Sequence, residues 1–315
     1  MHTRRVLFPT KRCCCCIVCF SRNTSRVALS CWRVLSIPPS SPPFVIACRC
    51  PHVCDLVYVY IPTTPPVFAD AATAINECQD VSGTTVNDVV MTIIGGCIRR
   101  YSLANGDAAG NSIGGPGFRS RALIPVALPR SSSPSGAILC NKWAFVSMNL
   151  SMDEADAATR LQELKATTTA IKTSPTPGLQ YLMQTHIMPH LPLWLCREMV
   201  HGALATHTVT VSNVPGPQEP VRLAGVGMKR IHFAFSNIMP QVGVVSLDGK
   251  ISINFVVDPI SVPDSFSLSA HFLDELEALA AGLGVEISGD MSALRTQADE
   301  LTRVMEAALT APMSY

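Results

Sequence analysis

From Thr85 onward, apolar residues return at three- and four-residue steps: Val86, Val89, Val90, Ile93, Ile94, Cys97, Ile98 and Tyr101. That period predicts an amphipathic helix with a broad buried face. Thr85 and Asp88 have the spacing of a capping box, and Arg99, Arg100 and the Asn105-Gly106 pair suit its other end. Gly95 and Gly96 sit inside the period at a cost of about 1 kcal/mol each relative to Ala, which predicts close approach by another part of the backbone. Ser151 and Glu154 repeat the capping spacing ahead of Ala155, Ala158, Leu161, Leu164 and Ile171, and Ser174 to Gly178 should end that second helix. Pro263-Asp264 opens a third, with Phe266, Phe272, Leu276, Leu279 and Leu283 inward and Gly282 and Gly284 at its end.

Other stretches follow the period of two or are apolar throughout. Residues 121–128 are apolar on both faces, which predicts a central strand of a covered sheet, and residues 138–150 suit a second strand. Residues 208–214 alternate and then meet the turn Pro215-Gly216-Pro217; residues 221–235 also read as strand. Asp248-Gly249 predicts a hairpin joining residues 242–247 to 251–257. Residues 179–205 are strongly apolar, and Pro189 and Pro192 split them into two short helices, with ordinary core as the expected role. A polar-faced helix near residues 290–309 reads as an appendage. The glycine-rich loop at 110–117 lacks the lysine and the strand-to-helix setting of a phosphate loop. The order of elements is an α+β pattern without internal repeats.

Composition divides the chain in two. Hydrophobic residues make up 48% and charged residues 15%, enough for a substantial core, and the net charge of +1 gives no reason to expect nucleic acid as a partner. Residues 1–54 hold eight of the 24 basic residues, none of the 23 acidic ones and nine of the 13 cysteines. The rest is therefore acidic, and its Cys78, Cys97, Cys140 and Cys196 read as small hydrophobes in a reducing compartment rather than a disulfide framework. The opening segment, 1–69, is rich in proline and has no sustained period. Three readings of it stay open: an unstructured or spurious stretch, which is preferred, an organelle transit peptide, and a soft-metal or palmitate site at Cys13 to Cys16 with Cys19. Its best apolar run, 44–61, is interrupted by Arg49, Pro51, His52 and Asp55, so no transmembrane helix is expected.

Three segments carry a resemblance. They are Thr85-Val86-Asn87-Asp88-Val89-Val90, Thr210-Val211-Ser212-Asn213-Val214-Pro215-Gly216-Pro217, and Val256-Val257-Asp258-Pro259 with Val262-Pro263-Asp264. The chain over residues 70–284 resembles the C-terminal domain of the wax ester synthase/diacylglycerol acyltransferase family. The resemblance implies the C-terminal half of a chloramphenicol-acetyltransferase-like fold, a mixed sheet with flanking helices, and residues 285–315 become a helical appendage. It also implies transfer of an acyl group from fatty acyl-CoA, as co-substrate and without a cofactor, to a diacylglycerol or a long-chain alcohol. Membrane association, at the endoplasmic reticulum or plasma membrane, is implied beside a cytoplasmic alternative. The family's base lies in a His-His-x-x-x-Asp-Gly segment, and this sequence has no adjacent histidines. The expectation is a fragment without its catalytic half and without activity by itself; a non-catalytic acyl-lipid-binding or interaction module derived from the family is the alternative.

No metal site is expected: His186 and His190 are four apart, but Pro189 intervenes and no Glu follows His186. Pro192-Leu193-Trp194 copies a family motif in the wrong place and reads as coincidence. Ester formation needs donors for an oxyanion as well as a base. Ser212 and Asn213 are candidates for that role or for shaping a tunnel, with a turn-closing role equally open, which Pro215, Gly216 and Pro217 favour. The resemblance suggests that Asn87 and Asp88 orient the base. Capping is the preferred role for Asp88, and the site for Asn87. Residues 179–205 with Trp194 would line a tunnel or touch a membrane if they were not core.

Overall fold

The computed structural model describes residues 49–50, 54–55, 65–106, 113, 115, 118–128, 142–223, 225–228, 231, 239–257, 261–265, 267–287, 291, 292, 294–296, 299 and 303. Five strands form one mixed sheet: β1 (Arg121–Ala127), β2 (Trp143–Asn149), β3 (Val209–Val214), β4 (Gln241–Leu247) and β5 (Lys250–Val256). Their spatial order is β2-β1-β3-β4-β5. The inner pairs β1–β3 and β3–β4 are parallel, and the outer pairs are antiparallel. The helices are α1 (Pro65–Ser82), α2 (Val86–Asn105), α3 (Ala157–Thr173), α4 (Thr176–Leu182), α5 (Leu193–Ala205) and α6 (Ser267–Leu283). The class is α+β, as the sequence pattern predicts, with the mixed sheet and flanking helices that the resemblance implies.

Register explains which side chains make the core. Ala122, Val209, Val211, Val242, Val244, Ile253 and Phe255 fall on one face of the sheet. They join one buried cluster with Val89, Val90, Ile93 and Ile94 of α2 and with Leu268, Phe272, Leu276 and Leu279 of α6. Each of the Val, Ile, Leu and Phe side chains contributes roughly 1.5–3 kcal/mol on burial. The β4–β5 turn has Asp248 at φ 51° and Gly249 at φ 70°, the paired left-handed conformation of the tight hairpin that Asp-Gly predicts.

In the glycine pair of α2, Gly95 has the predicted purpose, close approach of backbone, whereas Gly96 makes room for a side chain. A Cβ on Gly95 would stand 2.6 Å from the Leu150 carbonyl oxygen, and one on Gly96 would collide with the Glu275 carboxylate. Glu275 is buried, and so is the Arg160 guanidinium, whose Nη1 donates to Glu275 Oε1. Arg100 Nε donates to Oε2 at 2.6 Å. Arg160 Nη2 donates to the Glu154 and Ala155 carbonyls at 2.7 and 3.2 Å. One carboxylate thus ties α2, α3 and α6 together, and Arg100 spends its charge there rather than on the end of its own helix.

Several expectations change. A helix begins at Pro65, inside the segment expected to be irregular, because proline costs little in a first turn where its missing N–H has no helical partner. The cap of α3 is Asp156, which accepts from the Thr159 backbone N–H at 2.7 Å, and not Ser151. Ser151 instead takes a left-handed turn at φ 46°. Within residues 221–235 the described part forms only a two-residue ladder, Arg222–Leu223 with Val226–Gly227. The C-terminal appendage is docked: Leu294 is buried in the core, and Arg295 holds Asp274 and Glu277 of α6 at 2.7 Å each. The Cys13–Cys16 run, Cys140, Asp258-Pro259, Phe266 and the start of the expected 138–150 strand lie outside the described residues, as do most of the 110–117 loop and of 290–309.

The largest correction concerns residues 179–205. They do form the expected short helices, α4 and α5, joined by a π-helical turn, Met183–Ile187, and a 3-10 turn, Met188–His190. None of their side chains is buried, contrary to the core role. Leu179, Leu182, Ile187, Leu193, Trp194 and Val200 are all exposed, Trp194 at 66% and Leu193 at 74%. Among the described residues no single helix is long and apolar enough to cross a membrane.

Candidate functional site

Thr85 caps α2 as predicted. Its hydroxyl accepts from the Asp88 backbone N–H at 3.3 Å, while Asp88 Oδ2 accepts from the Thr85 backbone N–H at 3.0 Å and from its hydroxyl at 2.7 Å. The Thr85 and Asp88 N–H groups at the helix start are thereby satisfied, which fixes where the neighbouring Asn87 stands. The second carboxylate oxygen of Asp88, Oδ1, is buried without a hydrogen-bond partner among the described residues.

The second motif arrives on β3, the middle strand. Val209, Val211 and Asn213 alternate onto the helix-covered face, so Asn213 replaces an apolar core residue just past the last buried valine. There its Nδ2 donates to Asn87 Oδ1 at 3.3 Å. Two side chains 126 positions apart therefore meet at the junction of a strand end and a helix N-terminus. Ser212 does not join them: alternation places it on the opposite face, in register with Gly243. The structure brings Asn87 and Asn213 together, keeps Asp88 as their neighbour and cap, and separates Ser212.

The sheet parts at this point. β1 and β3 pair only at Ala122–Val209 and Leu123–Thr210. Beyond that, β1 continues beside β2 as far as the Ala127–Trp143 pair, whereas β3 continues beside β4 as far as Val214–Val245. Ser212 and Asn213 thus stand where the β1–β3 pairing has ended, on opposite faces of the sheet.

Pro215-Gly216-Pro217 holds the strand end in place. The Gly216 N–H donates to Ser246 Oγ at 3.1 Å, and the Pro217 carbonyl accepts from the Asp248 N–H at 3.0 Å. A Cβ on Gly216 would collide with the Ser246 carbonyl oxygen, so only glycine fits between two prolines here. This is a positioning segment, and its partner Ser246, alone in the apolar run of β4, carries no signal in the sequence.

The remaining candidates lie elsewhere. His186 and His190 are exposed, and no group of three or more metal-ligating side chains converges among the described residues. Cys78 and Cys97 are buried free thiols. Burial, with Glu77 adding to it, pushes the Cys78 thiol up to about 11, and burial raises Cys97 well above its ordinary value. Neither is a nucleophile at neutral pH.

Comparison with known proteins agrees with the motif reading. Residues 139–280 match the WS/DGAT C-terminal domain. A diacylglycerol O-acyltransferase described as putative, from Mycobacterium tuberculosis, is 25% identical over 223 residues, covering 65% of this chain and 41% of that protein. One from Mycobacterium bovis is 26% identical over 224 residues, covering 67% and 46%. The chain thus spans less than half the length of these relatives. Among solved structures, a wax ester synthase/diacylglycerol acyltransferase from Marinobacter aquaeolei aligns at TM-score 0.47 and 17% identity, over 68% of this chain and 47% of that one. A nonribosomal peptide synthetase aligns at 0.48 and 13%, over 76% and 24%.

Proposed function

We propose, proceeding from the resemblance of this chain to the C-terminal domain of the WS/DGAT family, that residues 70–284 form the C-terminal half of an acyl-CoA-dependent O-acyltransferase. Its substrates would be a fatty acyl-CoA and a diacylglycerol or long-chain alcohol, and its products triacylglycerol or wax ester. In that reaction the alcohol oxygen bonds to the thioester carbonyl carbon, the carbon–sulfur bond breaks, and coenzyme A leaves as the thiol with the alcohol's proton. The proton needs a base, which the family keeps in a His-His-x-x-x-Asp-Gly segment that this sequence does not contain. The chain's part is to shape and orient. The observation that carries the reading is the Asn213–Asn87 contact, which joins the two motif segments at the opening of the sheet. With Asn87 Oδ1 engaged, the Asn87 amide N–H groups and the second N–H of Asn213 are oriented donors for a base or an oxyanion.

The alternative, a non-catalytic module that binds acyl lipid or a membrane surface, is favoured by one observation, the exposed apolar side chains of α4 and α5. One assay separates the two. The chain is tested with acyl-CoA and either diacylglycerol or hexadecanol, by itself and joined to a polypeptide carrying the His-His-x-x-x-Asp-Gly half of a relative. Ester from the joined protein and none from the chain by itself supports the acyltransferase reading. A well-folded joined protein that binds acyl lipid without turnover supports the module.

A further inference from the structure

At the end of the sheet away from Asn213 lies a cavity of about 300 Å³ lined by Phe118, Arg119, Arg121 and Asn149. Arg121 opens β1 and Asn149 closes β2, and the two are cross-strand partners, so their side chains leave the same face of the sheet. Arg119 reaches the cavity from the segment leading into β1. Among the described residues, Arg119 and Arg121 bond beyond the strand ladders only at the Arg121 backbone, whose N–H donates to Thr208 Oγ1 at 3.4 Å and whose carbonyl accepts from the Thr208 N–H at 2.8 Å. No carboxylate among the described residues pairs with either guanidinium, whereas Arg100, Arg160 and Arg295 each hold one. Two planar cations, an amide donor and an aromatic ring around one concave space are the chemistry of phosphate recognition, since guanidinium forks match phosphate oxygens. A ring on the ligand would find an apolar face at Phe118.

We propose that this cavity is a subsite for a phosphate-monoester anion. Its place in the sheet suggests how such a ligand lies. Leu123 pairs with Thr210 on the face that carries Arg121, and alternation puts Ser212 on that same face. From Thr208, beside Arg121, to Ser212 is four residues of strand, or about 13 Å of rise. Leu123 and Thr210, between the cavity and Ser212 on this face, are buried, so a long ligand anchored by its phosphate at Arg119 and Arg121 leaves from the mouth of the cavity rather than along the strand surface. Under the acyl-transfer reading, on which this choice of source rests, the anion is the 3′-phosphate of coenzyme A and the long arm is its pantetheine. The cavity's affinity for phosphate does not depend on that reading.

The test uses the full chain with three probes: inorganic phosphate, coenzyme A and dephospho-coenzyme A. Binding is followed by phosphorus NMR line broadening and by calorimetry. Inorganic phosphate should bind, and both Arg119→Ala and Asn149→Asp should weaken it by roughly tenfold or more, as expected for loss of a charge-assisted contact or gain of a like charge. Arg119 is exposed and outside the strand, so that variant remains informative if Arg121→Ala fails to fold. Coenzyme A binding more tightly than dephospho-coenzyme A, with the difference abolished by Arg119→Ala, identifies the source. Equal binding of the two, with phosphate still sensitive to Arg119, keeps the subsite and removes coenzyme A as its source, whatever the outcome of the acyltransferase assay. No phosphate binding, or binding indifferent to Arg119 and Asn149, overturns the proposal.

Discussion

A single carboxylate decides much at the residue scale. Glu275 is buried against Gly96 and holds both Arg100 and Arg160, so its charge is compensated only while those partners stay. Replacing Glu275 with Gln leaves Arg160 charged and buried with only carbonyl partners. We expect a loss of about 3–5 kcal/mol, read as a lower denaturant midpoint, whereas joint replacement of Arg160 and Glu275 by Met and Leu should recover most of it. The cysteines give a second reading at this scale. With burial pushing the Cys78 thiol up to about 11 and raising Cys97 well above its ordinary value, both are protonated at pH 8. Peptide-resolved alkylation of the native protein at pH 8 should modify the half-exposed Cys196 well before either, and unfolding in denaturant should erase the order. Early labelling of Cys78 would mean that α1 is not packed on the core.

At the scale of elements, periodicity showed what local chemistry determines and missed what only tertiary contact determines. The cap and span of α2, the Asp248-Gly249 hairpin and the inward face of α6 were legible because each is set by neighbours in sequence. The Asn213–Asn87 contact was legible only as two separate motifs, since nothing local says that β3 ends beside α2. The Arg160–Glu275 pair was not legible at all: a lone arginine and a lone glutamate on helix faces look solvated. Residues 179–205 misled for the opposite reason. Their apolar content is that of a core segment, but Pro189 and Pro192 break them into short pieces that bury none of their side chains, even where α4 lies beside β2. Trp194→Ala tests this directly. It should change stability by no more than about 0.5 kcal/mol, as for an exposed site, whereas a core tryptophan would cost about 3–5 kcal/mol.

For the whole molecule, the claim is that one half of an acyltransferase site is assembled where β1 and β3 part, from Asn213 on the strand and Asn87 at the helix N-terminus. If the two amides act as one unit, their effects on turnover are coupled, because either truncation already breaks the contact. The deciding measurement is a double-mutant cycle on kcat/KM for ester formation, made in this chain joined to a His-His-x-x-x-Asp-Gly half, with Asn87→Ala, Asn213→Ala and the pair. The account predicts that each single change lowers kcat/KM by roughly tenfold and that the double variant is little worse than either, a coupling of about 1 kcal/mol or more. Turnover unaffected by either change, or losses that simply multiply, would contradict it.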